Sequence, residues 1–249
     1  MGAVFDKSTP AFAGSPSGAY TQPSELDYMA AWMRRKLVSG QHLFHQGDDH
    51  THIYVVKSGF IRLYSLLDNG RCQVIGYKSP NEIVAFEHTA KHRFSAQAVT
   101  AAELRCLPTS TLYSVASSEP QILRWLYHAA CAEISRAYAL VLTIAKRDAE
   151  SSVAAFIIEV DSRLAANSGS DFSTLPMLRG DIANYLGLTN ETVSRVFSAF
   201  KKRRMIEVRG RHGIRLIDRA GLRAIAERVS NDRMADLFGD ASVVPRRLP

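Results

Sequence analysis

Residues 178–204, LRGDIANYLGLTNETVSRVFSAFKKRR, constrain what this chain can fold into more than any other stretch. They predict a short helix, Arg179–Leu186, stopped by Gly187. A tight Gly187-Leu188-Thr189 turn then leads into a second helix. Thr189 is its expected N-cap, its hydroxyl accepting a backbone N–H, with Glu191 beside the positive helix end. Val193, Val196, Phe197 and Phe200 recur at i, i+3, i+4 and i+7, a face that must be buried. Glu191, Ser194, Arg195, Ser198 and Lys202 fall on the opposite face. Two short helices joined in this way form a helix-turn-helix, and the polar face of the second begins with side chains able to read bases.

The segment that follows sharpens the reading. Met205–Ile217, MIEVRGRHGIRLI, predicts a two-stranded hairpin turning at Arg209–Gly213, with Arg209, Arg211 and Arg215 placed to meet phosphates. The composition supports this. The chain has a net charge of +7, and residues 195–215 contain eight basic residues and one acid, Glu207, which is the whole excess. A charge focused this way suits an anion-binding surface. Arg195 can donate two hydrogen bonds to guanine O6 and N7, Glu191 can accept from a cytosine or adenine amino group, and Ser194 can contact thymine. Thr189, Ser198, Lys201, Lys202, Arg209 and Arg211 are the expected phosphate contacts. Double-stranded DNA is the expected partner.

Upstream, residues 1–24 are rich in Gly, Ser, Pro and Ala, the composition of a disordered tail. Leu26, Met29, Trp32 and Met33 predict a short amphipathic helix from Glu25 to about Lys36. Short strands are expected from Leu37 to about Tyr113: His52–Lys57, Gly59–Leu66, Cys72–Tyr77, Glu82–Phe86, Ala96–Thr100 and Glu103–Pro108. Asn69-Gly70 between two apolar runs is a hairpin signal. Many short strands with frequent turns suggest a barrel or sandwich.

Pro120 then opens a helix expected to reach about Arg147, about 42 Å at 1.5 Å per residue. Apolar or small residues recur along it by threes and fours, with Glu133 the polar exception. One reading is a helix buried within its own chain. The small residues Ala129, Ala130 and Ala137 favour instead a homodimer seam of Ile122, Leu126, Ala130, Ala137, Leu140 and Ile144. The uncharged stretch 137–145 opposes pairing nowhere, so the dimer is expected without a ligand. A further helix is predicted over residues 149–165, through Val153, Phe156, Ile157, Val160 and Leu164.

Cysteine and histidine limit the chemistry. Cys72, Cys106 and Cys131 are scattered, which excludes a disulfide scaffold or a thiolate zinc site within one chain. Cys72 and Cys131 are candidates for redox modification. His42, His45, His50 and His52 are weak candidates for a metal or haem site; histidine-rich surface turns are the ordinary reading, and no metal or cofactor is assigned. The chain shows no nucleophile–base arrangement, phosphate loop or HExxH, so it is not expected to be an enzyme. It has no apolar run near the ~18 residues of a membrane span and no signal-peptide pattern, so a cytoplasmic protein without a membrane partner is expected.

Across about residues 25–225 the sequence resembles the CRP/FNR family of bacterial transcription regulators. The likeness rests on Phe44, Gly47 and Asp48, on the run Ile53–Leu63, and on RGDIANYLGLTNETVSR. It implies an N-terminal β-roll like that of cyclic-nucleotide-binding domains. The helix-turn-helix is similar to the FNR/FixK branch, whose Glu-x-x-Ser-Arg element would here be Glu191, Ser194 and Arg195, reading a TTGA half-site. The resemblance further implies a homodimeric activator on a palindrome near TTGAT-N4-ATCAA, with contacts to RNA polymerase. The cysteines of iron–sulfur members are missing: the N-terminus has none, and Cys106 sits one place from the position that Arg105 occupies. The cAMP-binding cassette is also altered. Asn81-Glu82 stands where a Gly-Glu turn is expected, and Phe94, before Ser95, stands where the phosphate-binding Arg would be, with Arg93 one place off.

The expected fold is therefore α+β: a disordered tail at 1–24, a β-roll at 25–116, a dimerisation helix at 117–147, a winged helix-turn-helix at 148–228 and a C-terminal tail at 229–249. The expected function is a DNA-binding regulator active without a small-molecule effector. The alternative is a regulator gated by metal, haem, nitric oxide or cAMP through the roll.

Overall fold

Strand formation begins earlier than the pattern of apolar residues predicts. The computed structural model describes residues 32–68, 70, 72–84, 87, 89–145, 148–165, 173–175, 177–209 and 213–227. In it Met33–Leu37 is strand β1 rather than the end of a helix. It pairs antiparallel with β8 (Ala102–Pro108), from Met33 opposite Cys106 to Leu37 opposite Ala102. Backbone pairing along that edge wins over a helical period that rested on four apolar residues, and Trp32 packs against the helices beyond. Residues 25–31 of the expected helix lie outside the described residues, as do the two tails.

The other strands of this half are β2 (His42–Phe44), β3 (His52–Ser58), β4 (Ile61–Leu66), β5 (Cys72–Lys78), β6 (Ile83–Val84) and β7 (Ser95–Ala98). They form two antiparallel sheets, ordered β1-β8-β3-β6 and β2-β7-β4-β5. Strand β3 is apolar on both faces because both are covered. Tyr54 and Val56 point between the sheets with Ile61, Leu63 and Leu104, while Ile53 and Val55 meet Leu107 and the helices behind. Two glycines make the turns possible. Gly59 has φ +82°, and a Cβ there would lie 2.3 Å from the Ala101 carbonyl oxygen. Gly70, φ +75°, closes the β4–β5 hairpin and donates to the Leu67 carbonyl at 2.8 Å.

Strands give way to helix sooner than the sequence suggests. Thr109–Ser118, whose first half lies in the stretch expected to hold strands to about Tyr113, is helix α1. Its β-branched residues mask a helical pattern in which Leu112, Val115 and Ala116 face Ile122 and Trp125. Helix α2 (Pro120–Ala145) and helix α3 (Ala149–Ala165) follow. Next come β9 (Ser173–Thr174), α4 (Arg179–Leu186), α5 (Asn190–Lys202), β10 (Ile206–Arg209), β11 (Gly213–Leu216) and α6 (Arg219–Ala226). Asp218 caps α6 by accepting from the Gly221 N–H at 2.7 Å, and Leu222 and Ile225 are buried.

The architecture is α+β: two facing sheets, a long helix, and a module of four helices and a small sheet among the described residues. One apolar cluster joins the halves. It gathers Val153, Phe156, Ile157, Ile182, Val196, Phe197 and Phe200 of the C-terminal module with Tyr64, Val74 and Tyr77 of the strand domain. No helix among the described residues is long and apolar enough to cross a membrane.

Candidate DNA-binding surface

The turn between α4 and α5 is built by two local devices, both legible in the sequence. Gly187 ends α4 in the left-handed region, at φ 66° and ψ 26°, and the Leu188 N–H reaches back to the Ala183 carbonyl at 2.9 Å. Thr189 Oγ1 then accepts from the Thr192 N–H at 3.1 Å, with Glu191 in the first turn of α5. Val193, Val196, Phe197 and Phe200 are buried, so the helix can present one orientation only. The opposite face, with Glu191, Ser194, Arg195, Ser198, Lys201 and Lys202, is exposed, and so is Thr189 at its start. Ser198 Oγ is turned back onto its own helix, donating to the Ser194 carbonyl at 2.9 Å.

The basic residues at the end of α5 and beyond it are placed differently. Arg203 Nη1 lies 3.0 Å from Glu150 Oε2, tying the end of α5 to α3. Arg215 Nη2 lies 2.5 Å from Glu207 Oε2, its directly opposed neighbour across the β10–β11 hairpin. These two cations are therefore occupied within the module. Lys201 and Lys202, in the last turn of α5, are exposed, and the Arg209 side chain also reaches the surface; Arg211 lies outside the described residues. Strand β9 adds a third strand that the sequence reading missed, pairing with β11 through Ile214 opposite Ser173. Arg179, also missed, stacks its guanidinium over the Phe197 ring at 3.5 Å and so braces α4 against α5.

Helix α2 turns a different face to its own chain than the expected seam assumed. Ile122 is 1% exposed among Ile53, Val55, Ile83 and Leu107, with Leu126 against the same cluster. Leu140 packs on the C-terminal module. Ala130 is half-buried, and Ala137 and Ile144 are exposed. The apolar ridge left open is displaced by about one position: Leu123, Tyr127, Ile134, Tyr138 and Val141, with Tyr138 67% exposed.

A helix-turn-helix followed by a hairpin wing, joined to a two-sheet domain by a long helix, has close counterparts. Residues 152–225 match the family model of the Crp-like helix-turn-helix domain, and residues 34–119 that of the cyclic nucleotide-binding domain. The chain is 37% identical over 189 residues to the nitrogen fixation regulation protein FixK of Bradyrhizobium diazoefficiens, spanning 76% of this chain and 79% of that one. It is 35% identical over 196 residues to the transcriptional activator protein FnrA of Stutzerimonas stutzeri, spanning 77% and 80%. This chain belongs to the CRP/FNR family of transcription regulators. Among solved structures, FixK2 from Bradyrhizobium japonicum aligns with a TM-score of 0.74 at 28% identity, over 80% of this chain and 99% of that one.

In this CRP/FNR family member, residues 81–84 and 93–95, the stretches expected to depart from a nucleotide cassette, lie in the strand domain. Phe94 packs against the inter-sheet cluster, while its neighbour Arg93 is exposed. Ser95 is buried and its hydroxyl accepts from the Gln46 N–H at 3.0 Å. Glu82 is claimed by two arginines: Arg163 Nη2 lies 2.5 Å from its Oε2 and Arg136 Nη1 lies 3.3 Å from its Oε1.

The histidines separate rather than converge. His42 stacks on His45 and bonds Tyr64 Oη at 2.8 Å. His50 bonds the Thr89 carbonyl and leans toward His92, whereas His52 bonds Thr51 Oγ1. Among the described residues, no three His, Cys, Asp or Glu side chains meet in a way that could hold a metal ion. Of the two candidate redox thiols, Cys72 is pushed up by burial, which keeps it protonated and less reactive. Cys131 is half-buried on α2.

Proposed function

We propose that this CRP/FNR regulator is a homodimer that reads a palindrome near TTGAT-N4-ATCAA through α5, in the cytoplasm and without a small-molecule effector. The observation that carries the reading is the α5 surface: a helix locked by four buried side chains, with Glu191, Ser194 and Arg195 exposed in its first two turns. Arg195 pairs with guanine, Glu191 accepts from a base amino group and Ser194 meets thymine. Thr189, Ser198, Lys201, Lys202, Arg209 and Arg211 contact phosphates and set the register. The dimer forms along the open ridge of α2, Leu123-Tyr127-Ile134-Tyr138-Val141, whose steps of four, seven, four and three residues keep to one helix face and suit a parallel helix pair. RNA polymerase is the second partner, by likeness to the family's activators.

Fluorescence-polarisation binding tests this. Reduced, metal-stripped protein is titrated onto the palindromic duplex and onto a scrambled one. Tight binding to the palindrome alone, with no ligand added, is expected. Weak, salt-sensitive binding to both duplexes overturns the effector-independent reading and points to gating by metal, haem or cAMP.

A further inference from the structure

The strand domain and the DNA-binding module are joined by a set of charges around Glu82, of which Lys78 is buried and the others are half-buried. Its carboxylate accepts from the Ser79 N–H at 2.6 Å and lies between Arg136 of α2 and Arg163 of α3. Arg163 also donates to the Tyr77 carbonyl at 2.9 Å and lies 3.5 Å from Glu159. Arg136 Nη2 lies 2.6 Å from Glu133, whose other partner is the Lys78 ammonium at 2.5 Å. Lys78 is 3% exposed. Three cations thus face three carboxylates, and they come from the strand domain, the long helix and the first helix of the DNA-binding module.

A second fastening lies along β5 and α4. Arg62 of β4 bonds Asp181 in the first turn of α4, and Gln97 Oε1 holds the Arg62 fork at 2.9 and 2.5 Å. Gln73 donates to the Asn184 carbonyl at 2.6 Å, and the Tyr77 and Tyr185 rings meet edge-on with centroids 5.4 Å apart. Helix α4 is the element against which α5 packs, so whatever fixes α4 also fixes the direction in which Arg195 points. Apolar contact alone tolerates sliding; hydrogen-bonded charges at fixed angles do not.

We infer that the Glu82 network and the Arg62–Asp181 pair clamp the DNA-binding module at one angle to α2, and so set the half-site separation that the dimer accepts. Glu82 thus holds Arg136 and Arg163 together, and Glu133 joins Arg136 to Lys78. This rests on the dimeric DNA-binding reading above, and the test separates the two.

The test uses the full chain and two variants, Glu82→Gln and Asp181→Asn, each checked for a wild-type-like circular dichroism spectrum. The first readout needs no DNA: energy transfer between dyes at exposed Arg34 and exposed Ala224. A narrow distance distribution is expected in the wild-type background and a broadened one in both variants. Equally narrow distributions overturn the clamp whatever the DNA results. The second readout is binding to duplexes whose half-sites are separated by two to six base pairs, and to a single half-site. The wild type should prefer one spacing sharply, and the variants should lose that preference while keeping their affinity for the single half-site. Retention of the spacing preference by both variants also overturns the clamp. Failure of the wild type to bind any duplex, with narrow energy transfer, overturns the DNA-binding reading and leaves the clamp standing.

Discussion

Asp181, in the first turn of the helix that leads into α5, is bonded by the Arg62 guanidinium across 119 residues of sequence. The carboxylate sits where a helix N-terminus favours negative charge, so Asp181 is stabilised from two sides. The pair joins the two halves of the molecule near the shared apolar cluster of Tyr77, Phe156 and Ile182. Arg62→Ala leaves Asp181 and Gln97 short of a donor, a loss of about 1–3 kcal/mol for a hydrogen bond to a charged group. Calorimetry should show a single melting transition for the wild type. In the variant that transition should move down and split, the DNA-binding module melting first. An unsplit transition at the wild-type temperature counts against any coupling through this pair.

Arg195 and Lys201 lie on one helix but should behave differently. Arg195→Ala is expected to lose roughly 1–3 kcal/mol at the guanine position and to relax discrimination there. Lys201→Ala should weaken binding to all sequences alike and lower the salt slope by about 1. The check is competitive binding with base-substituted duplexes at several salt concentrations. Identical behaviour of the two variants on specific and scrambled DNA contradicts the assignment of α5 as the reading helix.

What was legible in the sequence was local. The Gly187 stop, the Thr189 cap and the Val193-Val196-Phe197-Phe200 stripe each depend on neighbours within a turn or two, and the structure reproduces them. Features that depend on distant partners were not legible. Strand β1 exists because β8 offers it an edge, and its five residues, MRRKL, carry little strand character alone. Arg215 looked like a phosphate contact until the register placed Glu207 directly opposite it. The Arg62–Asp181 pair and the Glu82 network join elements whose relative placement no periodicity encodes. On α2 the difficulty was different: Ile122 and Leu123 are adjacent and both apolar, so the helix has two apolar faces. A seven-residue repeat cannot say which of them the chain's own strands will cover.

The two faces of α2 should therefore respond oppositely to substitution. Ile134→Glu, on the exposed ridge, is expected to leave the melting temperature of the protomer nearly unchanged and to shift sedimentation from dimer to monomer. Ile122→Ala, inside the chain, should cost about 2–5 kcal/mol of stability and leave assembly intact while the protein stays folded. The reverse pattern would return the seam to Ile122, Leu126 and Leu140.

Acid should loosen the joint between the halves, and Glu133 gives that effect a direction. Burial alone would push its carboxyl up, but the Lys78 ammonium and the Arg136 guanidinium outweigh burial and hold it at about 2, against an ordinary 4.5. A carboxyl depressed by folding contributes stability that is fully present above its unfolded value and is lost as pH falls through its folded one. The wild type should therefore lose stability progressively between about pH 4.5 and 2 through this group. Glu82, lowered by its arginines and Lys78 against the effect of burial, acts in the same sense. Glu159, pushed up by burial more than Arg163 pulls it down, acts in the opposite sense. Glu133→Gln isolates one contribution: it keeps a hydrogen-bonding oxygen for Lys78 but cannot titrate. Urea midpoints for the variant should lie below the wild type near neutrality and converge with it in acid. Parallel curves across that range would mean that Glu133 adds nothing to stability through its charge.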